Sequence, residues 1–258
     1  MTTFLIFEGN SPELVAQGHS GSAGFVHSLT ALAPQAQFRL SNAHDHESIS
    51  QALFEGVDGV VFTGAGVAWS TDAPEAAPQR AVMEAALKAG LPIWGSCNGL
   101  QLAAVVLGGA TGASPNGIEV GFANDIQLTD AGQKHPMMRG RSSGFAAPCI
   151  HRDEVQRLPE GAVRLAGNAH SPVQAMAYEV GGVCFWGSQY HPELGPVGIA
   201  DYLRAKGIFD GHRNLVADLD AAETDTSAAA RLGVSCEQAA LSERSRELAN
   251  WVARVTGG

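Results

Sequence analysis

The chain has 258 residues, of which 45% are hydrophobic, enough for the core of one large α/β domain. Asp and Glu outnumber Lys and Arg by 26 to 16, the formal charge is −10, and no basic cluster is present, which argues against a nucleic-acid partner. The first residues lack the pattern of a signal peptide, and no window approaches about 18 consecutive apolar residues. We therefore expect no membrane segment and a cytoplasmic location.

Strand-like and helix-like segments alternate along the first 107 residues. The predicted order is strand Phe4–Phe7, helix Ala23–Leu32, strand Gln37–Leu40, helix Glu47–Phe54, strand Gly59–Thr63, helix Pro74–Ala89, strand Pro92–Trp94 and helix Leu100–Leu107. This alternation predicts a doubly wound, parallel α/β sheet with helices on both faces and ligands at the carboxyl ends of the strands.

The remainder of the chain is less regular. Residues 117–173 resemble short strands and turns, and Gly182–Gly187 is a predicted strand that returns to the sheet. The segment 9–22 is long for a connection between strand and helix, so it can cover a site at that edge. Residues 194–236 are polar and acidic and precede a predicted helix over Ser242–Val255. We expect one domain over 1–193, with a helical C-terminal extension over 194–258 packed on it.

The four cysteines are widely separated, and the sequence has no C-x-x-C motif, which argues against a disulfide framework or a structural zinc site. We expect no metal and no cofactor. Cys149 and Cys184 lie in apolar, strand-like surroundings and are predicted to be small buried residues.

Cys97 has different surroundings, because it follows an apolar strand and precedes a helix. Gly95 and Gly99 flank it at two residues on either side, and glycines at these positions let the backbone turn sharply. This spacing is that of a nucleophile elbow with sulfur in place of the serine oxygen. Cys97 is therefore the predicted nucleophile.

A thiol nucleophile needs a base, and the base needs an orienting carboxylate. His191 and Glu193 supply both, directly after the strand that ends at Gly187. With one residue between them on an extended backbone, the two side chains can point the same way.

Acyl transfer also needs donors for the developing oxyanion. The small residues Gly64 and Ala65 follow the third strand, where a backbone N–H can approach a substrate carbonyl. We predict the backbone of Gly64 or Ala65, together with the N–H of Asn98, as the oxyanion hole. A phosphate-binding loop is disfavoured, since no lysine follows and the G-x-G-x-x-G spacing is absent.

The ordered motifs resemble those of the class I glutamine amidotransferases, which use a Cys-His-Glu triad, and most of all stand-alone proteins similar to the amidotransferase domain of GMP synthase. The resembling segments are Phe62–Gly66, Gly95–Gln101, Ile150–Val155 and Gly187–Glu193. The resemblance implies a flavodoxin-like core and release of ammonia from glutamine through a γ-glutamyl thioester on Cys97. It also implies that Gln101, Ile150 and His151 line the substrate site. The family commonly has Gly-Gly-Pro where this chain has Gly64-Ala65-Gly66.

Three functions remain open on the sequence alone. A glutaminase of this family would deliver ammonia to a synthetase subunit in trans, because no synthetase motif is visible in the chain. A γ-glutamyl amide or peptide hydrolase would use the same triad. A catalytically silent regulatory or binding module could retain the fold, although the three triad residues argue against it. An α/β-hydrolase is disfavoured, because there the acid precedes the histidine.

Overall fold

The computed structural model describes residues 1–46, 49–207 and 210–257. Eleven strands are present in this part of the chain: β1 Thr3–Glu8, β2 Gln37–Asn42, β3 Gly59–Phe62, β4 Pro92–Ser96, β5 Ala110–Ala113, β6 Glu119–Leu128, β7 Phe145–His151, β8 Asp153–Arg157, β9 Val163–Gly167, β10 Ala175–Tyr178 and β11 Cys184–Ser188. The α-helices in the same part are α1 Pro12–Ala16, α2 Gly21–Leu32, α3 Ala77–Ala89, α4 Asn98–Val106, α5 Pro196–Ala205, α6 Arg213–Ala221, α7 Thr226–Arg231, α8 Cys236–Ala239, α9 Leu241–Arg244 and α10 Arg246–Thr256.

Nine strands form one mixed sheet in the order β2-β1-β3-β4-β11-β10-β9-β6-β7. The first five of these are parallel neighbours, in the order of a flavodoxin-like sheet. The remaining four pair antiparallel, and β5 and β8 form a separate two-stranded sheet. The predicted doubly wound fold with a parallel core is therefore confirmed, and the segment after residue 117 extends the sheet with antiparallel strands.

The inner parallel strands β1, β3 and β4 are apolar because both faces of the sheet are covered there, whereas the edge strand β2 is largely exposed. Along β1, Phe4 and Ile6 pack into one core cluster while Leu5 and Phe7 pack into the other. This alternation follows from the two-residue period of a strand, and helices cover both clusters.

The C-terminal helices pack directly on the sheet. Trp251 of α10 lies 5.4 Å from Phe4 and 6.4 Å from Trp94 between ring centroids. On the antiparallel half, α5 to α7 bury a third cluster that includes Phe122 and Ala146. None of the helices in the described residues combines the length and the apolar run needed to cross a bilayer.

The predicted helix over Glu47–Phe54 is wrong where it can be judged. Residues 47 and 48 lie outside the described residues, and Gln51–Phe54 form a single 3₁₀ turn. The Ser50 hydroxyl accepts the Ala52 N–H at 3.2 Å, and Gly56 adopts φ +68°. These local bonds favour a turn over a continued helix.

Three smaller differences accompany it. The predicted terminal helix is broken at Ser245, whose hydroxyl donates back to the Leu241 carbonyl, a bond that bends helices. Segment 9–22 contains the short helix α1, and α2 already begins at Gly21. Cys149 is fully buried as predicted, whereas Cys184 is only half-buried and accepts a hydrogen bond from Arg254.

Candidate active site

Cys97 occupies the sharp turn between β4 and α4. Its backbone has φ +49° and ψ −103°, a strained conformation for a residue with a side chain. Close approach explains the flanking glycines: a Cβ at Gly99 would lie 2.4 Å from the Phe62 carbonyl oxygen, and one at Gly95 would lie 2.7 Å from the backbone of Gly99. The Cys97 N–H donates to the Ser188 carbonyl at 2.7 Å, which ties the turn to β11.

His191 and Glu193 follow β11, the strand parallel to β4. Nδ1 of His191 lies 2.7 Å from Oε1 of Glu193, and both residues are buried. The second carboxylate oxygen of Glu193 accepts the Ser96 hydroxyl at 2.9 Å, and Ser96 in turn accepts the Trp94 indole N–H at 2.9 Å. Both carboxylate oxygens are thus fixed, and the imidazole is oriented by its Nδ1.

Ser96 belongs to this arrangement although the sequence motifs did not point to it. Its hydroxyl reaches a carboxylate 97 positions later because Ser96 pairs with Ser188 in the β4–β11 register. In the sequence, Ser96 stands only as the neighbour of Cys97 within the segment Gly95–Gln101, two residues after the predicted strand Pro92–Trp94. Ser96 acts as a positioning residue, since it touches Glu193 and not the thiol.

The surroundings of His191 favour the imidazolium. Burial by itself lowers the pKa of His191, but the Glu193 carboxylate and the Cys97 side chain raise it, and the net pKa lies well above 6.5. Nε2 has no hydrogen-bond partner within the described part of the chain, and the thiol Sγ lies 3.7 Å from the Ile150 carbonyl. The hydrogen bond of the thiol thus goes to Ile150, and Cys97 acts on His191 by helping to raise the pKa of the imidazole.

The turn after β3 lies against both side chains. A Cβ at Gly64 would lie 2.7 Å from Cε1 of His191 and 3.6 Å from Cβ of Cys97. The Thr63 hydroxyl donates to the Gly64 carbonyl at 2.8 Å and accepts the Gly9 N–H at 2.9 Å. Because a trans peptide directs its N–H opposite its carbonyl, Thr63 also fixes the direction of the Ala65 N–H.

The predicted oxyanion donors meet at this turn and at the start of α4. The Gly66 N–H is already used by Oδ1 of Asn10 at 2.7 Å. Asn98 is the first residue of α4, so its N–H has no partner within the helix. Gly64, Ala65 and Asn98 remain predictions as oxyanion donors, and the fold brings their backbone next to the thiol.

The three predicted substrate residues differ in which of their polar atoms already contact other protein groups. Ile150 directs its carbonyl at the thiol, and Gln101 is buried, with Nε2 donating to the carbonyl of Asp153 at 2.7 Å and to Gln189 at 3.1 Å. The ring nitrogens of His151 lie 3.2 Å from the Asp153 carbonyl and 2.8 Å from the Glu119 carboxylate. Both ring nitrogens of His151 are therefore engaged by protein groups, and His151 contributes to the site as part of the cavity wall.

Glu119, His151 and His170 place one potential metal-ligand atom each within 4.8 Å of one another. The Glu119 carboxylate is already satisfied, because it also accepts hydrogen bonds from Asn168 and Gln174, both at 2.7 Å. These contacts describe a buried polar network that holds the start of β6 against the end of β7.

We predict that Glu119→Gln changes how the thermal unfolding midpoint depends on pH at acid pH. Burial raises the pKa of Glu119, but hydrogen bonds from His151, Asn168 and Gln174 outweigh this, and the net pKa lies below 4.5. Such a carboxyl stabilises the fold above its unfolded pKa and loses that contribution as the pH falls through the folded value. The wild-type unfolding midpoint should thus fall more steeply below about pH 4.5 than that of the variant.

Thermal unfolding as a function of pH measures this difference, with Glu160→Gln at an exposed position as the matched control. Parallel acid limbs for wild type and Glu119→Gln would contradict the role assigned to the network.

Two cavities meet at Cys97. The loop-side cavity has a volume of about 510 Å³ and is bounded by segment 17–21, the turn after β3, and α5. The strand-side cavity has a volume of about 460 Å³ and is bounded by Gln101, Ile118, Val120, His151 and Asp153. Segment 9–22 therefore lines the site, as its length suggested.

Comparison with known proteins identifies the family of this chain. A family model described as glutamine amidotransferase class-I matches residues 18–203. A γ-glutamyl-L-1-hydroxyisopropylamide hydrolase from a Pseudomonas species is 38% identical over 164 residues, which make up 62% of this chain and 54% of the relative. A glutamine-hydrolysing GMP synthase subunit from Methanoculleus marisnigri is 37% identical over 114 residues, 44% of this chain and 58% of the relative.

The matched region spans little more than half the length of each of these two relatives.

Among solved structures, a glutamine amidotransferase from Thermotoga maritima has a TM-score of 0.67 at 19% identity, over 100% of this chain and 99% of that one. Another from Methylobacillus flagellatus has a TM-score of 0.66 at 17% identity, over 97% of this chain and 93% of that one. These two likenesses establish the shared fold, and the family model covers more than half of the sequence. The chain belongs to the class I glutamine amidotransferase family.

Proposed function

We propose that this protein hydrolyses the C–N bond of γ-glutamyl amides through a thioester on Cys97. The observation that carries this proposal is the set of contacts around the thiol: a strained cysteine at the end of β4, and an imidazole beside it that a buried carboxylate orients. Membership of the family supports the γ-glutamyl group as the acyl part.

The residues divide the chemistry as follows. His191 accepts the thiol proton, Sγ attacks the γ-carbonyl carbon, and the backbone donors of the oxyanion hole stabilise the negative oxygen. The C–N bond then breaks, and His191 gives its proton to the leaving nitrogen, which departs as ammonia or as an amine. Water transfers a proton to His191 and attacks the thioester carbon. The C–S bond breaks, glutamate leaves, and the proton on His191 returns to sulfur.

The strand-side cavity suits the glutamyl part of such a substrate. Arg152 and Asp153 line it as an ion pair, with Nε of Arg152 2.7 Å from Oδ1 of Asp153. Burial raises the pKa of Asp153, but Arg152 and Ser70 outweigh this, and the net pKa lies below its usual range. The opposite charges of this pair complement the α-carboxylate and α-ammonium groups of glutamate. Gln101 lines the same cavity.

Two variants of this activity have separate support. The Pseudomonas relative is named for hydrolysis of a substituted γ-glutamyl amide, and its match covers the larger share of this chain. The relative from Methanoculleus is part of a GMP synthase, which supports glutamine as substrate and a synthetase subunit in trans as the acceptor of ammonia. All four cysteines are free thiols, so we place either activity in a reducing compartment such as the cytoplasm.

Release of glutamate by the purified full-length chain tests the proposal. We expect turnover of at least one of glutamine and γ-glutamyl alkylamides, measured by mass detection of glutamate and of the released ammonia or amine. Addition of cell extract supplies a synthetase partner. If neither substrate yields glutamate under either condition, the proposed activity is wrong and a silent binding module is favoured.

A further inference from the structure

The two cavities that meet at Cys97 differ in their access to the proton donor. His191 and Glu193 line the loop-side cavity and not the strand-side cavity. Gln101, His151 and Asp153 line the strand-side cavity and not the loop-side one. Six of the described residues line both cavities: Ala65, Gly66, Cys97, Ile150, Tyr202 and Lys206. A substrate bonded to Sγ can therefore extend in two directions, and only one of them passes the imidazole.

The chemistry determines which part of the substrate points in which direction. An amine is a poor leaving group until it is protonated, and His191 is the group that protonates it. The nitrogen and any substituent on it must therefore lie on the His191 side, in the loop-side cavity. The acyl part then extends into the strand-side cavity.

We propose that the loop-side cavity binds the amine portion of the substrate, and that the preferred substrates are γ-glutamyl amides of small alkylamines rather than glutamine. This inference rests on the proposed hydrolysis through Cys97. The amide nitrogen of glutamine departs as ammonia, which is about the size of a water molecule, and a water occupies roughly 30 Å³ of liquid. The cavity, at about 510 Å³, is instead the size of a small-molecule site.

The walls of this cavity are built and held in place. The buried Glu8 carboxylate accepts the Asn10 N–H at 3.0 Å, the Ser20 hydroxyl at 3.0 Å and the Ser22 N–H at 2.9 Å. These three bonds fix both ends of segment 10–22. The protein's own hydrogen bonds therefore hold this wall of the cavity in place.

Helix α5 of the C-terminal extension forms the opposite wall. Tyr202 lines both cavities, and a Cβ at Gly66 would lie 3.1 Å from its ring. Nζ of Lys206 donates to the Gly66 carbonyl at 2.9 Å. Tyr202 and Lys206 thus close over the turn after β3 and separate the acyl side from the amine side. Gly198 and Ala205 of α5 line the loop-side cavity alone.

A substrate series tests the inference on the purified full-length chain. We compare kcat/KM for glutamine and for the γ-glutamyl amides of methylamine, ethylamine and n-propylamine, with detection of glutamate and of the Cys97 thioester. Each methylene buried in the cavity is expected to raise kcat/KM about fourfold, so the propylamide should exceed glutamine by at least tenfold. Equal or better turnover of glutamine would overturn the inference and leave the proposed hydrolysis intact. No turnover and no thioester with the entire series would contradict both.

Variants that fill the loop-side cavity test whether the amine portion of the substrate binds there. Gly198→Phe places a large side chain in the loop-side cavity, where a Cβ would have only ordinary contacts with Leu194 at 3.5 Å and beyond. We expect the ratio of propylamide to glutamine kcat/KM to fall at least tenfold. Val197→Phe is the matched control, since Val197 lies on the same helix, is 44% exposed and lines neither cavity. An unchanged ratio in Gly198→Phe would place the amine elsewhere. Ala205→Phe carries the same expectation if Gly198→Phe does not fold.

Discussion

Replacing Cys97 by alanine will abolish glutamate release from every γ-glutamyl substrate, with a loss of at least about 10⁴-fold in kcat. In the proposed mechanism Sγ forms the covalent bond to the acyl group. Among the described residues that line both cavities, Tyr202 and Lys206 also carry nucleophilic atoms, but Nζ of Lys206 is held by the Gly66 carbonyl. Mass detection of glutamate at saturating substrate measures the loss.

Cys236→Ala is the control for removal of a thiol, because Cys236 is a free, half-buried cysteine that lines neither cavity. It should retain wild-type turnover. Activity of Cys97→Ala within about tenfold of wild type would contradict the assigned nucleophile.

Replacing His191 by alanine will cost several orders of magnitude in kcat, since in the proposed mechanism the same imidazole removes the thiol proton and protonates the leaving nitrogen. Glu193→Gln will be milder, because Ser96 can still hydrogen-bond the amide and keep the side chain in place. Steady-state rates of the two variants measure this order.

The pH profile of Glu193→Gln separates the effect of the Glu193 charge on the pKa of His191 from its effect on the position of the imidazole. Glu193 is the largest of the contributions that raise the pKa of His191, so a neutral amide lowers that pKa. An imidazolium with a lower pKa loses its proton at lower pH, and the alkaline limb of kcat/KM must move to lower pH. Ser96→Ala, which retains the charge, should leave that limb near its wild-type position. An unshifted limb in Glu193→Gln would contradict the role of the carboxylate.

The centre of the parallel core could be predicted from the sequence because β1, β3 and β4 are apolar runs bounded by turn residues, whereas the edge strand β2 is largely polar and exposed. β1, β3 and β4 are buried on both faces, and such strands stand out in any sequence. The helix predicted at Glu47–Phe54 failed because Ser50 offers the backbone an alternative hydrogen bond, which a hydrophobic pattern does not reveal.

At the site, the candidate nucleophile Cys97 and the His-Pro-Glu segment could be proposed from the sequence because local spacing indicates their chemistry, and the fold brings them to one cavity. Ser96, Thr63 and Glu8 could not be found in this way. Ser96 meets Glu193 only through the register of β4 on β11, and Thr63 meets Gly9 only because β1 and β3 are neighbours. Pairing register is a property of the folded sheet, so residues that position others across it remain hidden in a single sequence.

The division of the site between two cavities was also beyond the sequence. It depends on α5, which follows the motif region and reaches back over Gly66 through Tyr202. Segment length alone predicted that residues 9–22 lie near the site, whereas the hydrogen bonds of Glu8 explain why they stay there.

Trapping of the acyl-enzyme tests the central claim most directly. The full-length protein is quenched in acid within the first turnovers on glutamine and on a γ-glutamyl alkylamide, and its intact mass and peptide map are measured. We predict a mass increase of one glutamyl group, carried by the peptide that contains Cys97 and absent from Cys97→Ala. Glutamate release without any such adduct, or an adduct on another residue, would contradict the account.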